Sequence, residues 1–87
     1  MASMLIQHKV RDYTAWRSAY DAHEPARVAA GITNGRVYRK AGEQNDLVIL
    51  FDVADAAKAI TWAAGDDLKT AMQKAGVVGE PTIHVIS

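Results

Sequence analysis

One long amphipathic segment, residues 12–31, constrains the fold of this chain more than any other feature of its sequence. At helical spacing, one stripe of the segment carries large and polar side chains: Tyr13, Trp16, Tyr20, His23, Arg27 and Ala30. A neighbouring stripe contains only alanine, so we expect the helix to lie close to a sheet. Because an inward imidazole and guanidinium need polar partners or a ligand, the first stripe predicts a pocket.

Start and stop signals bound this segment. Asp12 is a good N-cap, and Gly31 stands where a left-handed residue ends a helix. Pro25 lacks an N–H, so it predicts either a kink just before it or a second short helix with proline in the first turn. On the opposite side of the helix, Arg17 and Asp21 are spaced to form an ion pair on a solvated surface.

Alternating hydrophobicity predicts four strands, at residues 4–10, 32–41, 47–53 and 82–86. The third strand, LVILFDV, is apolar on both faces, which is typical of a central strand covered on both sides. Residues 42–46 predict a hairpin loop, residues 79–81 predict another loop, and Asn34-Gly35 predicts a bulge within the second strand. We expect residues 1–3 to be a disordered, dispensable extension.

Two helical segments separate the third and fourth strands. Asp55 is the predicted N-cap of the first, Asp66 or Asp67 that of the second, and Gly76 ends the second. The order is βαββαβ, with the second helix broken in two. It predicts one α+β ferredoxin-like domain over residues 1–87, a four-stranded antiparallel sheet with helices on one face and the first and third strands central.

The composition excludes several classes of function. Ten basic and ten acidic residues balance without a Lys/Arg cluster, which argues against a nucleic-acid partner. The absence of cysteine excludes disulfides, thiolate metal sites and a cysteine nucleophile. The start lacks a secretory signal pattern, and no apolar run is long enough to span a bilayer. We therefore expect a cytoplasmic protein with no membrane partner.

Three stretches that cover most of the chain resemble a known family: HKVRDYTAWRSAYDAHEPARVAAG, RVYRKAGEQNDLVILFDV and LKTAMQKAGVVGEP. They are similar to small bacterial proteins of the dimeric α+β barrel superfamily, of the cyclase or antibiotic-biosynthesis-monooxygenase-like kind. The resemblance implies a homodimer whose two sheets face each other, with a ligand cleft in each subunit between helices and sheet. It implies no single chemistry, because the superfamily spans cofactor-independent monooxygenases, polyketide cyclases, haem-degrading enzymes and isomerases.

The face of the sheet away from the helices also predicts a dimer. Two helical segments cover one face only, so either Val48 and Leu50 or Leu47, Ile49 and Phe51 remain on the other. An exposed apolar patch of this kind favours association. We therefore expect an isologous two-fold homodimer through the sheet face.

The candidate catalytic residues are His23, Arg27 and Tyr20. His23 is suited to act as an acid or base near neutral pH, while Arg27 and Tyr20 are suited to stabilise an enolate or phenolate. The alternative is structural. In that case Arg27 pairs with Glu24 or Asp52, and His23 bonds to a backbone carbonyl.

The candidate substrate-binding residues supply rings or a polar end to the cleft: Trp16, His8, Tyr38, Trp62 and Phe51. Aromatic rings can enclose a flat ligand, and tyrosine hydroxyls can orient it. His8 shares a strand face with Ile6 and Val10, so it points at the helices, either as part of the site or as a hydrogen-bonded core residue. Trp16 is alternatively plain core, and His84 is expected to face the dimer interface.

No sequence pattern indicates a cofactor or a metal. The three histidines show no metal-ligand spacing, and no glycine-rich nucleotide motif is present. The predicted function is a protein that binds a small aromatic or polyketide-like molecule, acting as a cofactor-independent cyclase or monooxygenase. A non-catalytic ligand-binding or assembly module is the alternative. Haem binding through His8 or His23 is a third option.

Overall fold

Four strands and four helices follow one another in residues 2–87, the part of the chain that the computed structural model describes. In chain order they are β1 (Ala2–Val10), α1 (Tyr13–Ala22), α2 (Glu24–Ala29), β2 (Ile32–Lys40), β3 (Glu43–Val53), α3 (Ala56–Ala63), α4 (Asp66–Lys74) and β4 (Val77–Ile86). The strands form one antiparallel sheet in the order β2-β3-β1-β4. The predicted α+β, ferredoxin-like arrangement is confirmed, with the first and third strands in the centre.

The two faces of the sheet differ in burial. On one face every second residue is buried from Met4 onward in β1 and from Leu47 onward in β3, namely Met4, Ile6, His8, Val10, Leu47, Ile49, Phe51 and Val53. The apolar members of this face form the core with Trp16, Ala30 and Ala59 from the helices. The opposite face carries half-buried Val48 and Leu50. β3 is therefore apolar on both faces, as predicted, and the first of the two alternatives for its outer face is the correct one.

β1 begins earlier than predicted. Ala2 and Ser3 pair with Val53 and Asp52 of β3, so they extend the strand and are not a disordered extension. The long neighbouring strand offers backbone partners that the hydrophobic pattern of β1 does not reveal. Met1, the remaining residue of that expected extension, lies outside the described residues.

Two of the expected loops are strand. β3 begins at Glu43, so the turn before it shortens to Ala41-Gly42, where Gly42 has a φ of +84°. β4 begins at Val77, so residues 79–81 lie within a strand. In both places the pairing register shifts, and these bulges accommodate turn-prone residues inside a ladder.

The predicted bulge in β2 is confirmed. Pairing with β3 shifts between Thr33 and Arg36. Within the bulge, Asn34 adopts a left-handed φ of +54°. Asparagine tolerates this conformation better than most residues, which explains its place there.

The helical segment is divided at its proline. α1 ends at Ala22 and α2 begins at Glu24, with Pro25 in the first turn of α2, which is the second of the two outcomes predicted. The large stripe still faces the sheet, since a short helix can bury only one side. The alanine stripe is turned inward only in part: Ala19 and Ala26 are half-buried, whereas Ala15, Ala22 and Ala29 are exposed, contrary to expectation.

Two of the three predicted N-caps are confirmed. Asp12 accepts a hydrogen bond from the backbone N–H of Thr14, and Asp55 accepts one from Lys58. The N-cap of α4 is Gly65, so Asp66 and Asp67 lie in its first turn instead. The predicted surface ion pair is confirmed at 3.3 Å between Arg17 Nε and Asp21 Oδ1. None of the helices in residues 2–87 is long and apolar enough to cross a membrane.

Candidate functional site

A cavity of about 50 Å³ lies between the buried face of the sheet and the helices. Seven of the eight predicted site residues line it: His8, Trp16, Tyr20, His23, Arg27, Phe51 and Trp62. The two central strands provide His8 and Phe51, while α1, α2 and the residue between them provide the large inner stripe. Trp62 comes from α3.

Tyr38, the eighth predicted site residue, lies on the other face of the sheet. It pairs with Val48, and its side chain is 54% exposed. Since side chains of a strand alternate between faces, the register of β2 against β3 excludes Tyr38 from the cavity and turns Val37 toward the helices. Tyr38 therefore does not line the cavity with the other seven residues.

Arg27 is buried, with 6% of its surface exposed. Its Nη1 donates a hydrogen bond of 2.8 Å to the backbone carbonyl of Tyr20, and its guanidinium lies 3.9 Å from the centre of the Tyr20 ring. Burial lowers the pKa of Arg27, an effect that nearby Tyr20 and Glu24 partly oppose. The guanidinium therefore sits in an environment that disfavours its charge unless an anion joins it.

Neither carboxylate proposed as a structural partner of Arg27 bonds to it. Asp52 instead accepts hydrogen bonds from Arg36 at 3.1 Å and from Asn34 at 3.0 Å, on the outer face of the sheet. Glu24 is not within ion-pairing distance, and no other carboxylate of residues 2–87 pairs with Arg27 either. The structural alternative for Arg27 thus lacks its partners.

The Tyr20 ring neighbours two guanidinium groups, those of Arg27 and Arg17, and two aromatic rings, those of Trp16 and Phe51. Its ring stacks on Trp16, with centroids 4.8 Å apart, and Arg27 covers it. Burial raises the pKa of Tyr20, although the Arg27 and Arg17 charges act in the opposite direction. The hydroxyl is therefore protonated at neutral pH and is available as a donor to a developing anion.

Gly35 allows this position of the Tyr20 side chain, although the sequence predicts Gly35 only as part of a bulge. A Cβ at Gly35 would overlap the Tyr20 hydroxyl and would lie 2.9 Å from Cε1 of Phe51. The glycine in the bulge is the one sequence signal of such a close approach. Gly35 therefore shapes the cavity without providing a functional group.

His23 joins the α1–α2 junction to α4. Its Nε2 lies 3.4 Å from Oδ2 of Asp67, and its ring stacks on Trp62 with centroids 5.9 Å apart. A carboxylate, not the backbone carbonyl of the structural alternative, is thus its partner. The sequence does not predict Asp67 as the partner of His23, because the two residues are 44 positions apart and no local motif links them.

His8 is the other imidazole of the cavity. It is 6% exposed, its ring meets Trp16 edge-on at 5.7 Å, and its Nδ1 has no hydrogen-bond partner in the described chain. Burial lowers the pKa of His8, with Asp46 partly opposing the shift, so the ring is neutral at neutral pH. Buried polar atoms usually have a partner, so this unsatisfied nitrogen costs the fold a hydrogen bond.

Metal ligation depends on at least three suitable side chains meeting at one point. Within residues 2–87 no three His, Cys, Asp or Glu side chains are grouped so as to hold an ion. That the protein carries no metal stays a prediction, which elemental analysis of the purified protein tests.

Solved structures resemble this chain closely in fold and weakly in sequence. A putative antibiotic biosynthesis monooxygenase from Bordetella bronchiseptica has a TM-score of 0.79 at 10% identity, covering 99% of this chain and 94% of its own. A protein of the same description from Nitrosomonas europaea gives 0.69 at 11% identity, covering 100% and 97%. A variant of SnoaB, a cofactor-independent oxygenase from Streptomyces nogalater, gives 0.73 at 10% identity, covering 99% and 90%.

At the level of sequence alone, no protein-family model and no curated protein matches the chain. Identities near 10% establish the fold and leave the chemistry open. The likeness nevertheless extends over nearly the whole length of both partners in each comparison. The chain therefore has the fold of these putative antibiotic biosynthesis monooxygenases, as the resemblance in its sequence implies.

Proposed function

We propose that this protein binds a planar, enolisable aromatic or polyketide-like molecule and acts on its anion as a cofactor-independent cyclase or monooxygenase. The observation that carries the proposal is Arg27, a buried guanidinium without a carboxylate partner in residues 2–87, beside a cavity with aromatic walls. A buried cation is stabilised by an anion that shares its site. An enolate or phenolate supplies that charge on a flat ring that fits the walls.

The chemistry begins with removal of a proton from an activated carbon. When Nε2–H of His23 donates to Asp67, the other ring nitrogen is left to accept the substrate proton. Arg27 and the Tyr20 hydroxyl then stabilise the negative charge that remains on the substrate oxygen. The resulting anion attacks a carbonyl of the same molecule in a cyclase, or reacts with dioxygen in an oxygenase. The likeness to SnoaB supports the oxygenase form.

Exchange of carbon-bound hydrogen tests the proton-removal step apart from any later step. The protein should accelerate hydrogen–deuterium exchange at the activated carbon of 2-tetralone, followed by NMR, and should bind 2-naphthol, a planar analogue of its enol. We expect Arg27→Ala to weaken 2-naphthol binding by about tenfold or more, since hydrogen bonds to charged groups contribute roughly 1.5–3 kcal/mol. We expect His23→Ala to slow exchange more than it weakens binding.

The matched control for Arg27→Ala is Arg11→Ala, which removes an exposed guanidinium outside the cavity and should leave binding and exchange unchanged. If Arg27→Ala and His23→Ala both lower the melting temperature while affinity and exchange stay at the level of the parent protein, the residues are structural and the proposal fails.

A non-catalytic ligand-binding or assembly module is the second candidate, because a cavity of about 50 Å³ leaves little room for a substrate to react. A space of about 50 Å³ is below the roughly 300–1,000 Å³ of most ligand sites. Binding of 2-naphthol that depends on Arg27, without exchange of 2-tetralone, would identify this function. The same volume does not fit haem, so His8 and His23 are not proposed as haem ligands.

A homodimer through the outer sheet face is part of the proposal. That face presents Val48 and Leu50 beside Tyr38, which is 54% exposed, and Ile86, which is 48% exposed. Pairing two copies about a two-fold axis covers this surface in both. His84 belongs to the same face, since it pairs with Leu5 opposite Leu50, and is exposed in the single chain.

A further inference from the structure

The cavity is too small for the proposed ligand, so one of its walls has to move before a ligand enters. Its volume of about 50 Å³ is a small fraction of what ligand sites need. Two of the walls are fixed. β1 and β3 pair in an unbroken register, and Arg27 ties α2 to the carbonyl of Tyr20 in α1. The walls that remain are α3 and α4.

Of these two helices, α4 is the more weakly attached. Ala59 of α3 is fully buried in the core, and the side chain of Asp55 caps that helix. The N-cap of α4 is Gly65, which has no side chain to bond to the first turn, and only Leu68 of the nine residues of α4 is buried. An element with few buried apolar contacts opens at the smallest free-energy penalty, so α4 is the wall that moves.

The two ends of α4 are held differently. At its C-terminal end, the carbonyl of Gly76 accepts a hydrogen bond of 3.0 Å from the N–H of Arg11, which precedes α1. Gly76 has a φ of +81°, a conformation that glycine adopts without strain. At the N-terminal end the backbone bond is local, since the N–H of Gly65 donates to the carbonyl of Trp62 in α3. α4 can therefore turn about Gly76 while its first turn moves.

Free space lies on the far side of α4. A groove of about 350 Å³ separates this helix from β4, where Val77 and Ile83 border it. Leu68 and Met72 of α4 border both the cavity and the groove. If the first turn shifts toward β4, these two side chains leave the cavity and pack on an apolar strand, so little apolar surface returns to water. Such a shift enlarges the cavity and closes the groove.

One polar contact holds the first turn of α4 in place. Among the side-chain hydrogen bonds and ion pairs of residues 2–87, only the one between His23 and Asp67, at 3.4 Å, joins α4 to another element. The Asp67 side chain is 71% exposed, and contacts of this kind in solvent are weak. A weak contact keeps the wall closed in the free protein and still allows it to open.

We propose that α4 is a gate, whose first turn moves toward β4 to admit a ligand and returns when His23 and Asp67 meet again. Asp67 is then a positioning residue, because it reaches Nε2 of His23 only in the closed state and so fixes which ring nitrogen accepts a proton. Proton removal thus begins only after the ligand is enclosed. This inference rests on the proposed function, since it takes His23 as the base and the cavity as the ligand site.

Labelling of buried cysteines in the ligand-free protein tests the gate. The chain has no cysteine of its own, so a single introduced thiol reacts alone with iodoacetamide. Ile49→Cys places the thiol on the cavity wall, and Val53→Cys places it on the same buried face of β3 but outside the cavity. We expect Asp67→Ala to speed the labelling of Ile49→Cys about two- to fourfold, as loss of an exposed ion pair allows, and to leave Val53→Cys unchanged.

The matched control is Asp66→Ala, which removes the neighbouring carboxylate from the same turn and should alter neither rate. Gln73→Trp places a large ring in the groove and should slow the labelling of Ile49→Cys, whereas Lys74→Trp, outside both spaces, should not. The gate is overturned if Asp67→Ala has no effect on Ile49→Cys or speeds both cysteines equally, or if the two tryptophan variants act alike.

Turnover tests the positioning role. Asp67→Ala should slow hydrogen exchange of saturating 2-tetralone by about tenfold, more than it changes the affinity for 2-naphthol. Asp67→Asn keeps an oxygen acceptor for Nε2–H of His23 and should retain most of the rate. Equal losses in the two variants overturn this role. Because the labelling needs no ligand, the gate stands even if Arg27→Ala leaves 2-naphthol affinity unchanged, a result by which the proposed function alone fails.

Discussion

Two buried basic side chains, Arg27 and His8, stand at the walls of the cavity without a bonded carboxylate in the described chain. Both are disfavoured in their charged forms by burial, which lowers the pKa of each. For His8 the consequence is a neutral ring with an unpartnered Nδ1. For Arg27, a guanidinium, the charge persists in proteins, and an anion is the means of stabilising it.

His8 should make the stability of the fold depend on pH. Its pKa in the folded chain is below the ordinary value of 6.5, so between these two values the unfolded chain binds more protons than the folded one. The contribution of neutral His8 is thus complete above about pH 6.5 and is lost as the pH falls from there through the folded pKa. Urea midpoints from about pH 8 to about pH 5 should fall more steeply for the parent protein than for His8→Phe.

The control for this measurement is Ile6→Phe, which introduces a phenyl ring on the same buried face of β1 and leaves His8 in place. It should keep the slope of the parent protein. Equal slopes for His8→Phe and the parent protein would show that another group controls acid stability.

Gly35→Ala should destabilise the protein by filling the space of the Tyr20 hydroxyl. The φ of Gly35 is not in the left-handed region, so the penalty is steric and not conformational. Forcing one methyl group into a packed site costs about 1–3 kcal/mol. At roughly 4–8 °C for each kcal/mol, melting should occur at least several degrees lower.

A Tyr20→Phe background distinguishes this mechanism from a general effect on the bulge. Removing the hydroxyl leaves room for the new methyl group, so the loss caused by Gly35→Ala should be smaller there. The same loss in both backgrounds would argue against the contact with Tyr20.

At the scale of elements, the cavity depends on where short helices begin and end. The break between α1 and α2 places His23 at the junction, and the first turn of α4 brings Asp67 to it. α3 carries Trp62, whose ring stacks on His23. Each of these helices has ten residues or fewer, so its caps and its packing provide most of its stability.

Asp55→Ala should therefore lower stability through α3. It removes the side-chain acceptor for the N–H of Lys58, a loss of about 0.5–2 kcal/mol for N-caps of this type. Asp55→Asn keeps an oxygen in place and should retain most of the stability. Thermal melts followed by circular dichroism would compare the two variants, and equal losses would exclude capping as the cause.

At the scale of the whole molecule, the outer sheet face is the face that the helices of residues 2–87 leave uncovered. It combines half-buried Val48 and Leu50 with exposed Tyr38. An 87-residue chain buries only about 60–70% of the surface of its unfolded state, so further burial by a second copy adds substantially to stability.

Leu50→Glu should convert the proposed dimer to monomer or to unfolded chain, because a charge would be buried without a partner at the centre of the interface. Sedimentation velocity at micromolar concentration measures the change. Ile60→Glu places the same charge on α3, where Ile60 is 56% exposed on the helical side, and should leave the dimer intact. A stable monomer of the parent protein would contradict the proposed assembly.

Much of the fold is predictable from local patterns, and the errors occur where distant strands interact. The caps Asp12 and Asp55, the break at Pro25 and the bulge at Asn34-Gly35 follow from residues within a few positions of each other. The early start of β1 and the true extents of β3 and β4 depend on pairing with strands far away in sequence. Such pairing is set by backbone hydrogen bonds that any residue except proline can make in full.

The sequence by itself determined which elements form and which stripe of the α1–α2 segment turns inward, because the periods of helices and strands are local properties of the chain. Tertiary structure alone decided which face of β2 meets the helices, and so excluded Tyr38. It also decided that His23 meets Asp67 and that Arg27 lacks a carboxylate within residues 2–87. Those outcomes depend on the register of the strands and on the distances at which helices pack across the sheet, which no spacing along the chain specifies.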